Sequence, residues 1–450
     1  MDVHQKNFAL IGHPVGHTMS PFIHSRLFAL SGAQAGYRVL DLPPERLAAS
    51  VPELRRLDGF NITIPHKQAI IPLLDGCSRK ASESGSVNTV KNEGGRLVGY
   101  TTDGEGFRRA LQAAETGLGG KAAVLGAGGA ARAVVFELAH AGAEVTVAAR
   151  EHSAGAAEKL CRDVRAAVPG ARVGRCLISE LRGTRDLLVN ATPAGMYPKA
   201  EGCAADEEAV AGSACVFDAV YNPNETKLLA LAKKHGRKAV GGVGMLVFQA
   251  AASEEIWLGS RFSEDSLKRL CADTAFEMKK KFGSVVLCGF MGSGKTTAGR
   301  LLAEKTGCGF LDLDESIERE EGMSIPEIFA KKGEAAFREM ERRAVRGLSR
   351  SGRLVVAAGG GTVLDPENAA AFRANGVVVL LDAPLETVRE RLKGDRSRPL
   401  LRRDGGGDRL AELYLARSAA YRAAADLAVD AGRSPEETAA AVLEALRPAT

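Results

Sequence analysis

The stretch VVLCGFMGSGKTTAGRLLAEKTG, Val285 to Gly307, decides the fold of the later part of the chain. An apolar run leads into Gly289-Phe-Met-Gly-Ser-Gly294-Lys295-Thr296, which matches G-x-x-x-x-G-K-[ST], and a helix-prone segment follows. Strand, glycine loop and helix in that order leave free backbone N–H groups where they cradle phosphates. Gly292, Ser293, Gly294 and Lys295 are the ATP-binding candidates, with Lys295 reaching the β and γ groups. The Thr296 hydroxyl is a ligand candidate for Mg²⁺, and Thr297 adjoins it.

Outward from this loop, 284 residues precede its strand pattern, and they contain a second glycine loop. The stretch KAAVLGAGGAARAVVFELAHAGAEVTVAAR, Lys121 to Arg150, reads as strand, turn, helix and second strand. Gly126, Ala127, Gly128, Gly129 and Ala130 lead to Ala131 in a G-x-G-x-x-G/A pattern. Gly126 permits the tight turn, Gly128 lets backbone approach a pyrophosphate, and Ala131 allows close helix–strand packing. Arg150 ends the second strand, where an acidic residue would accept from a ribose 2′-hydroxyl. A guanidinium there favours a 2′-phosphate, so the expected cofactor is NADP(H).

The rest of the composition sets bounds. A chain of 450 residues suggests two to four domains at about 100–200 residues each. Its 45% apolar and 26% charged residues fit an ordinary globular protein. A net charge of +5 without a dense basic block makes no case for nucleic acid. Eight scattered cysteines with no C-x-x-C pair point to reduced thiols and a cytoplasmic setting. The four-residue apolar run before Gly12 is too short for a signal-peptide core, and no apolar segment approaches the ~20 residues of a membrane span. Oligomeric state is not derivable.

Residues 1–105 alternate short apolar runs with helical stretches, as an α/β domain does. In that block GFNITIPHK supplies Lys67, GSVNTV supplies Asn88 and GYTTDGEG supplies Asp103. Taken singly each is ordinary turn or surface chemistry. The polar segment before Gly283 reads as a helix followed by a short junction, with one continuous helix as the alternative. RRDGGGD, Arg402 to Asp408, reads as a mobile loop.

Together with GHPVGHTMSPFIHSRLF, VLGAGGAARAV, NATPAGM, FDAVYNP and GGVGMLVFQAA, these motifs make residues 1 to about 270 resemble shikimate dehydrogenase. The resemblance implies that Thr18 and Ser20 hold the substrate carboxylate, and that Thr63, Asn88, Asp103 and Gln249 bond the ring hydroxyls. Lys67 and Asp103 match the catalytic pair, while Tyr221, Gly244 and Met245 line the cleft on the substrate and cofactor sides. A free lysine titrates near ~10.4, so Lys67 can give a proton to a developing alkoxide beside a carboxylate that keeps it charged. Such general acid–base work is worth about 10²–10⁴ in rate. Three positions depart from the pattern. Thr18 replaces the more usual serine and its methyl narrows the carboxylate site, which bears on shikimate against quinate. Ala149 and Ala154 stand where relatives carry Asn and a second Arg, leaving one cation for the 2′-phosphate.

From 284 to 450 the glycine loop, FLDLDESIE, GEAAFREME, VVAAGGGTVL and DRSRPLL resemble shikimate kinase. By that resemblance Asp314 takes substrate hydroxyls, Arg338 and Arg417 grip the carboxylate, and Gly359, Gly360 and Gly361 let backbone approach the ring. Asp312 lies near the metal through water, Arg391 stacks on adenine, and Arg398 sits on a lid over the phosphates. Planar carboxylates suit bidentate guanidinium, and phosphoryl transfer needs positioning, Mg²⁺ and cations. Taken singly, Asp314 could instead cap a helix and Arg398 could be a solvated charge.

The expected fold is α/β throughout: a shikimate dehydrogenase two-domain fold, with substrate domain and NADP-binding Rossmann domain, followed by a P-loop kinase domain. The expected boundaries are 1–105 completed by 243–270, then 106–242, a linker at 271–283, and the kinase at 284–450. The expected function is bifunctional: NADPH-dependent reduction of 3-dehydroshikimate, then ATP/Mg²⁺-dependent phosphorylation of the shikimate formed. Two other readings are a quinate/shikimate dehydrogenase with attached kinase, and a non-catalytic shikimate or quinate sensor. Retention of Lys67, Asp103, Lys295 and Asp314 argues against the sensor.

Overall fold

The computed structural model describes residues 5–16, 18–348, 353–393 and 408–447. The chain forms two units, Met1–Phe276 and Glu277–Thr450.

The first unit holds two sheets. One contains β1 (Lys6–Gly12), β2 (Ala35–Asp41), β3 (Gly59–Ile62), β4 (Gly76–Cys77), β5 (Thr89–Glu93) and β6 (Arg96–Tyr100), in the order β2-β1-β3-β5-β6-β4. Strand β5 runs antiparallel to both neighbours; the other pairings are parallel. One apolar layer gathers Ile11, Leu54, Phe60, Ile70, Val87 and Leu97. A second layer gathers Phe8, Phe28 and Trp257. Trp257 belongs to the helix Val243–Leu258, so a late segment returns to pack on the first sheet. Its indole stacks on Phe8 at 4.5 Å and donates to Val90 O at 2.9 Å. Gly59 is required beneath it, since a Cβ there would lie 2.5 Å from the indole nitrogen.

The second sheet contains β7 (Lys121–Leu125), β8 (Glu144–Ala149), β9 (Arg172–Leu177), β10 (Arg185–Asn190), β11 (Ser213–Asp218) and β12 (Lys238–Val240). Its order, β12-β11-β10-β7-β8-β9, is parallel throughout, and the chain reverses direction across the sheet between β7 and β10. A ligand of an open parallel sheet binds at such a reversal, which here coincides with the loop after β7.

The second unit has one parallel sheet: β13 (Ser284–Cys288), β14 (Gly309–Asp312), β15 (Leu354–Ala357), β16 (Gly376–Asp382) and β17 (Leu427–Asp430), ordered β14-β15-β13-β16-β17. Strand β16 reads GVVVLLD and is buried almost throughout, as a central strand covered on both faces must be. The reversal flanks β13, which places the loop after it at the crevice.

The stretch 271–283, where the sequence suggests a linker, is helical as far as Phe282, within the helix Glu264–Phe282. The division between the units falls inside it. The physical reason is a narrow buried stripe, Leu267, Leu270, Thr274 and Met278, that recurs at helical spacing through a polar sequence. Of the expected loop 402–408, all but Asp408 lies outside the described residues; Asp408 caps the helix Arg409–Ala424 by accepting from Ala411 N. Among the described residues no helix is long and apolar enough to cross a membrane.

Candidate active sites

In the first unit, Lys67 sits on the short helical turn after β3 and Asp103 opens the helix Asp103–Ala113. Lys67 Nζ donates to Asp103 Oδ2 at 2.5 Å, with their side chains 19% and 9% exposed. Asn88 closes the other side of the carboxylate: its Nδ2 donates to Asp103 Oδ1 at 3.0 Å, Thr102 Oγ1 at 2.9 Å and Gln249 Oε1 at 3.2 Å. Asn88 Oδ1 accepts from Thr102 N at 2.7 Å, which fixes the side-chain amide's orientation. Four sequence-separated motifs thus meet in one bonded cluster. Behind it, Ser253 Oγ lies 2.8 Å from Thr89 Oγ1 and accepts from Asn61 Nδ2 at 3.0 Å.

Thr18 and Ser20 form a hydroxyl pair at the start of the helix Ser20–Ser31, with Oγ–Oγ 3.0 Å and Ser20 N donating to Thr18 Oγ1 at 3.1 Å. Thr63 packs its methyl over Gly12, where a Cβ would come within 2.3 Å of it. Tyr221 lies just past β11, and burial pushes its phenol up. Gly244 and Met245 sit where two helices cross: a Cβ on Gly106 would lie 2.6 Å from Met245 O, and one on Gly244 would lie 3.3 Å from Ala110 Cβ. That is a packing role for both, beside whatever they do for a cofactor.

The dinucleotide loop has the conformation its glycines suggest. Gly126 has φ 105°, which favours glycine, and a Cβ there would strike Thr192 Cγ2 at 2.8 Å. Around Gly128 a Cβ would meet nothing within 4 Å, so the space before the helix Gly129–His140 is open backbone, as a pyrophosphate requires. Ala127 and Ala130 flank these glycines, and Ala131 is fully buried against the sheet. Arg150 is exposed at the end of β8. A Cβ on Gly129 would lie 3.7 Å from Lys67 Cδ, so the Lys67–Asp103 pair borders the dinucleotide loop. Arg132, inside VLGAGGAARAV but given no role there, pairs with Asp163 at 2.7 Å and donates to Ser84 O.

In the second unit the loop after β13 uses positive φ at Gly289, Gly292 and Gly294 (142°, 77° and 90°) before the helix Lys295–Thr306. Lys295 Nζ donates to Gly289 O and Phe290 O at 3.0 and 3.1 Å. Thr296 Oγ1 donates to Asp312 Oδ2 at 2.7 Å, so the two expected metal-side groups stand together. Asp312 is also the N-cap of the helix Leu313–Glu321, accepting from Asp314 N and Glu315 N at 3.1 and 3.3 Å. Asp314, which the sequence left open as a cap, is therefore free of that duty. Ser293 is buried, Thr297 is exposed, and Arg391 reaches the loop through Gly292 O at 3.4 Å.

Burial pushes Asp314 up to about 6, with the Asp312 and Glu341 carboxylates adding to the effect and Lys295 opposing it. Gly359 allows its approach: a Cβ there would lie within 2.4 Å of Asp314 Oδ1. Gly361 does the same for Arg338, whose Nη1 would be 2.6 Å from such a Cβ. Around Gly360 a Cβ would meet nothing, and Gly360 O accepts from Arg417 Nη1 at 3.4 Å and from Tyr421 OH. Glu341, buried and missed by the sequence reading, ties Arg338 Nη1 (2.5 Å) to Thr362 Oγ1 (2.6 Å). Arg398 lies outside the described residues. Among the described residues no group of three or more His, Cys, Asp or Glu gathers as a metal cage.

Comparison with known proteins agrees with both halves. The family model of shikimate kinase matches residues 291–447, and that of the shikimate dehydrogenase substrate binding domain matches residues 10–90. A shikimate dehydrogenase (NADP(+)) of Symbiobacterium thermophilum is 41% identical over 273 residues, covering 58% of this chain and 91% of that protein. The crystal structure of shikimate 5-dehydrogenase from Thermus thermophilus in complex with NADP(H) and shikimate is 34% identical, with TM-score 0.55, covering 60% of this chain and all of that one (100%). A chorismate mutase/shikimate 5-dehydrogenase fusion protein from Clostridium acetobutylicum is similar over 60% of this chain and 96% of that one, at 34% identity and TM-score 0.54.

Proposed function

We propose that this chain, which belongs to the shikimate dehydrogenase family and carries a shikimate kinase domain after it, is a bifunctional enzyme of the shikimate pathway. It reduces 3-dehydroshikimate to shikimate with NADPH and phosphorylates shikimate with ATP and Mg²⁺ to shikimate 3-phosphate, toward chorismate and the aromatic amino acids. The observation that carries this is that each glycine loop has a matched carboxylate within its own unit. Asp103 acts through Lys67 beside Gly129, and Asp314 lies on Gly359 near Lys295.

Bound NADP(H) supplies the hydride, and MgATP the phosphoryl group. Open backbone at Gly128 and the cation at Arg150 fit the first, and the positive-φ glycines with Thr296 and Asp312 fit the second. In the dehydrogenase, Thr18 and Ser20 hold the substrate carboxylate, while Asn88, Thr63 and Gln249 fix the ring hydroxyls. Lys67 Nζ gives its proton to the ring oxygen as charge develops there, and takes it back in the reverse direction. Asp103 holds Lys67 in line, and Asn88 holds Asp103. In the kinase, Arg338 and Arg417 hold the carboxylate of shikimate, and Asp314 orients the attacking hydroxyl and accepts its proton. Lys295 would meet the phosphate oxygens of bound ATP, and Arg391, beside Gly292 O, would face its base.

Residues 1–105 with 243–270 serve the substrate, 106–242 the dinucleotide, and 284–450 the kinase. Eight free cysteines suit a reducing cytoplasm. The partners are the two small acids. The test supplies 3-dehydroshikimate and NADPH to the full chain, with and without MgATP, and reads loss of NADPH absorbance and ADP release. ADP release that waits on NADPH consumption is the expected result; no NADPH consumption in any condition refutes the dehydrogenase assignment.

A further inference from the structure

His24 and Glu254 meet in the interior of the first unit, outside the set of site residues named above. Their side chains are 1% and 0% exposed, and His24 Nδ1 lies 3.0 Å from Glu254 Oε1. Among the described residues, His24 Nε2 and Glu254 Oε2 have no hydrogen-bond partner. A buried ion pair offsets its desolvation only when its remaining atoms are also bonded. This one lacks that support, so the stable form is a carboxylic acid and a neutral imidazole sharing one proton. Burial acts in that direction on both, pushing Glu254 up to about 9 and His24 down to about 3. The titratable groups facing Glu254 are His24 from the helix Ser20–Ser31 and Tyr37 from β2. On its own helix, Glu255 turns instead to Arg109, at 2.7 and 3.0 Å.

The pair is wired to the substrate side from two directions. Ser20 and His24 are one turn apart on the same helix, both buried. The His24 ring stacks on Tyr37 with centroids 4.2 Å apart and planes 11° apart. Tyr37 OH donates to Asn61 Oδ1 at 2.7 Å, and Asn61 Nδ2 donates to Ser253 Oγ at 3.0 Å, one residue before Glu254. This ring of contacts fixes the first helical turn, which presents the Thr18–Ser20 hydroxyls.

We propose that His24 and Glu254 are positioning residues for the substrate carboxylate: a net-neutral couple that holds Ser20 from below without setting charge near the incoming anion. This rests on the assignment of Thr18 and Ser20 to that carboxylate. An apolar residue at 254 would leave His24 Nδ1 unpartnered, and an ionised one would repel the substrate.

The test uses the full chain as wild type, Glu254→Leu and Glu254→Gln, with the KM for 3-dehydroshikimate followed from about pH 7 to about 10. Glu254→Leu is expected to raise that KM about tenfold, with kcat and the KM for NADPH within about twofold of wild type. Glu254→Gln, which keeps a hydrogen bond and cannot ionise, should keep the wild-type KM at neutral pH. It should also lack the rise in KM expected of the wild type as pH passes about 9. An unchanged KM in Glu254→Leu, or an alkaline rise in Glu254→Gln with the wild-type midpoint, overturns the role. If Glu254→Leu does not fold, the Glu254→Gln profile decides alone. A wild type that turns over no 3-dehydroshikimate refutes the assigned function instead, and this role with it.

Discussion

The dehydrogenase site and the kinase site solve the same recognition problem by different means. In the first unit the polar side chains bond to one another: Lys67 to Asp103, Asp103 to Asn88, Asn88 to Gln249 and Thr102. In the second, beside the Thr296–Asp312 and Arg338–Glu341–Thr362 side-chain bonds, the groups that face the ligands lie close against backbone: Lys295 on the carbonyls of Gly289 and Phe290, Asp314 on Gly359, Arg338 on Gly361, Arg417 on Gly360 O. Proton transfer to a neutral ring oxygen needs a donor held in one place before the substrate arrives, so a closed side-chain network suits it. Phosphates arrive with their own charge and are met by loop N–H groups and cations, so a glycine-lined backbone suits them. The dehydrogenase should therefore be most sensitive to loss of a side chain, and the kinase to gain of a methyl group.

The largest expected effect is Lys67→Ala, which should lower the reduction rate by about 10³ while ADP release with supplied shikimate stays within about twofold. Parallel loss of both activities would break the independence of the two sites. Next is Gly359→Ala. Its Cβ would lie 2.4 Å from Asp314 Oδ1 and collide with it, and kinase kcat should fall about 10²-fold with NADPH oxidation untouched. A kinase indifferent to this methyl would mean that Asp314 does no work where it stands. The pH profile comes third. Asp314 must be ionised to accept a proton, and burial sets its midpoint at about 6. Kinase kcat should rise with pH up to that midpoint, about tenfold per pH unit below it, and Asp314→Asn should flatten the acid limb.

Fourth, Arg150→Ala should raise the KM for NADPH about tenfold and leave that for NADH nearly unchanged, read from initial rates with each cofactor. An equal rise for both would remove the 2′-phosphate from Arg150. Smallest is Gly360→Ala, whose Cβ would meet no protein atom. It should leave kinase kcat intact and raise the KM for shikimate about threefold, as a methyl enters space that the ring approaches. Its contrast with Gly359→Ala separates the glycine that admits a carboxylate from the one that admits substrate.

Much of this was legible in the chain because it is local. G-x-x-x-x-G-K-T and G-x-G-x-x-A each name a turn, a helix start and an anion within a few residues, and both loops have the expected backbone. Polar partners contributed from afar left no local signal. Ser253 and Asn61 are separated by 192 residues, and His24 and Glu254 by 230, yet each pair is in hydrogen-bond contact. Glu254 follows Ser253 in an otherwise ordinary helix, and nothing in the order of its neighbours says that it is buried. Glu341 was missed for the same reason, being one more charge in a helix crowded with charges of both signs until its bonds to Arg338 and Thr362 are seen. The segment before Gly283 read as a helix giving way to a short junction, and the helix runs on to Phe282, because its buried residues form a stripe too sparse to stand out against many charges.

The sequence by itself determined the two anion-binding loops, the α/β character of each half, and the residue types able to carry hydride-coupled proton transfer and phosphoryl transfer. These follow from short-range rules of turn geometry, helix polarity and hydrophobic period. Only the tertiary structure decided which Asp caps a helix and which stays available, which glycine yields to a side chain and which to solvent, and which buried acid is neutral. Those outcomes depend on distances between segments far apart in the chain, and on how completely packing removes water from a charge.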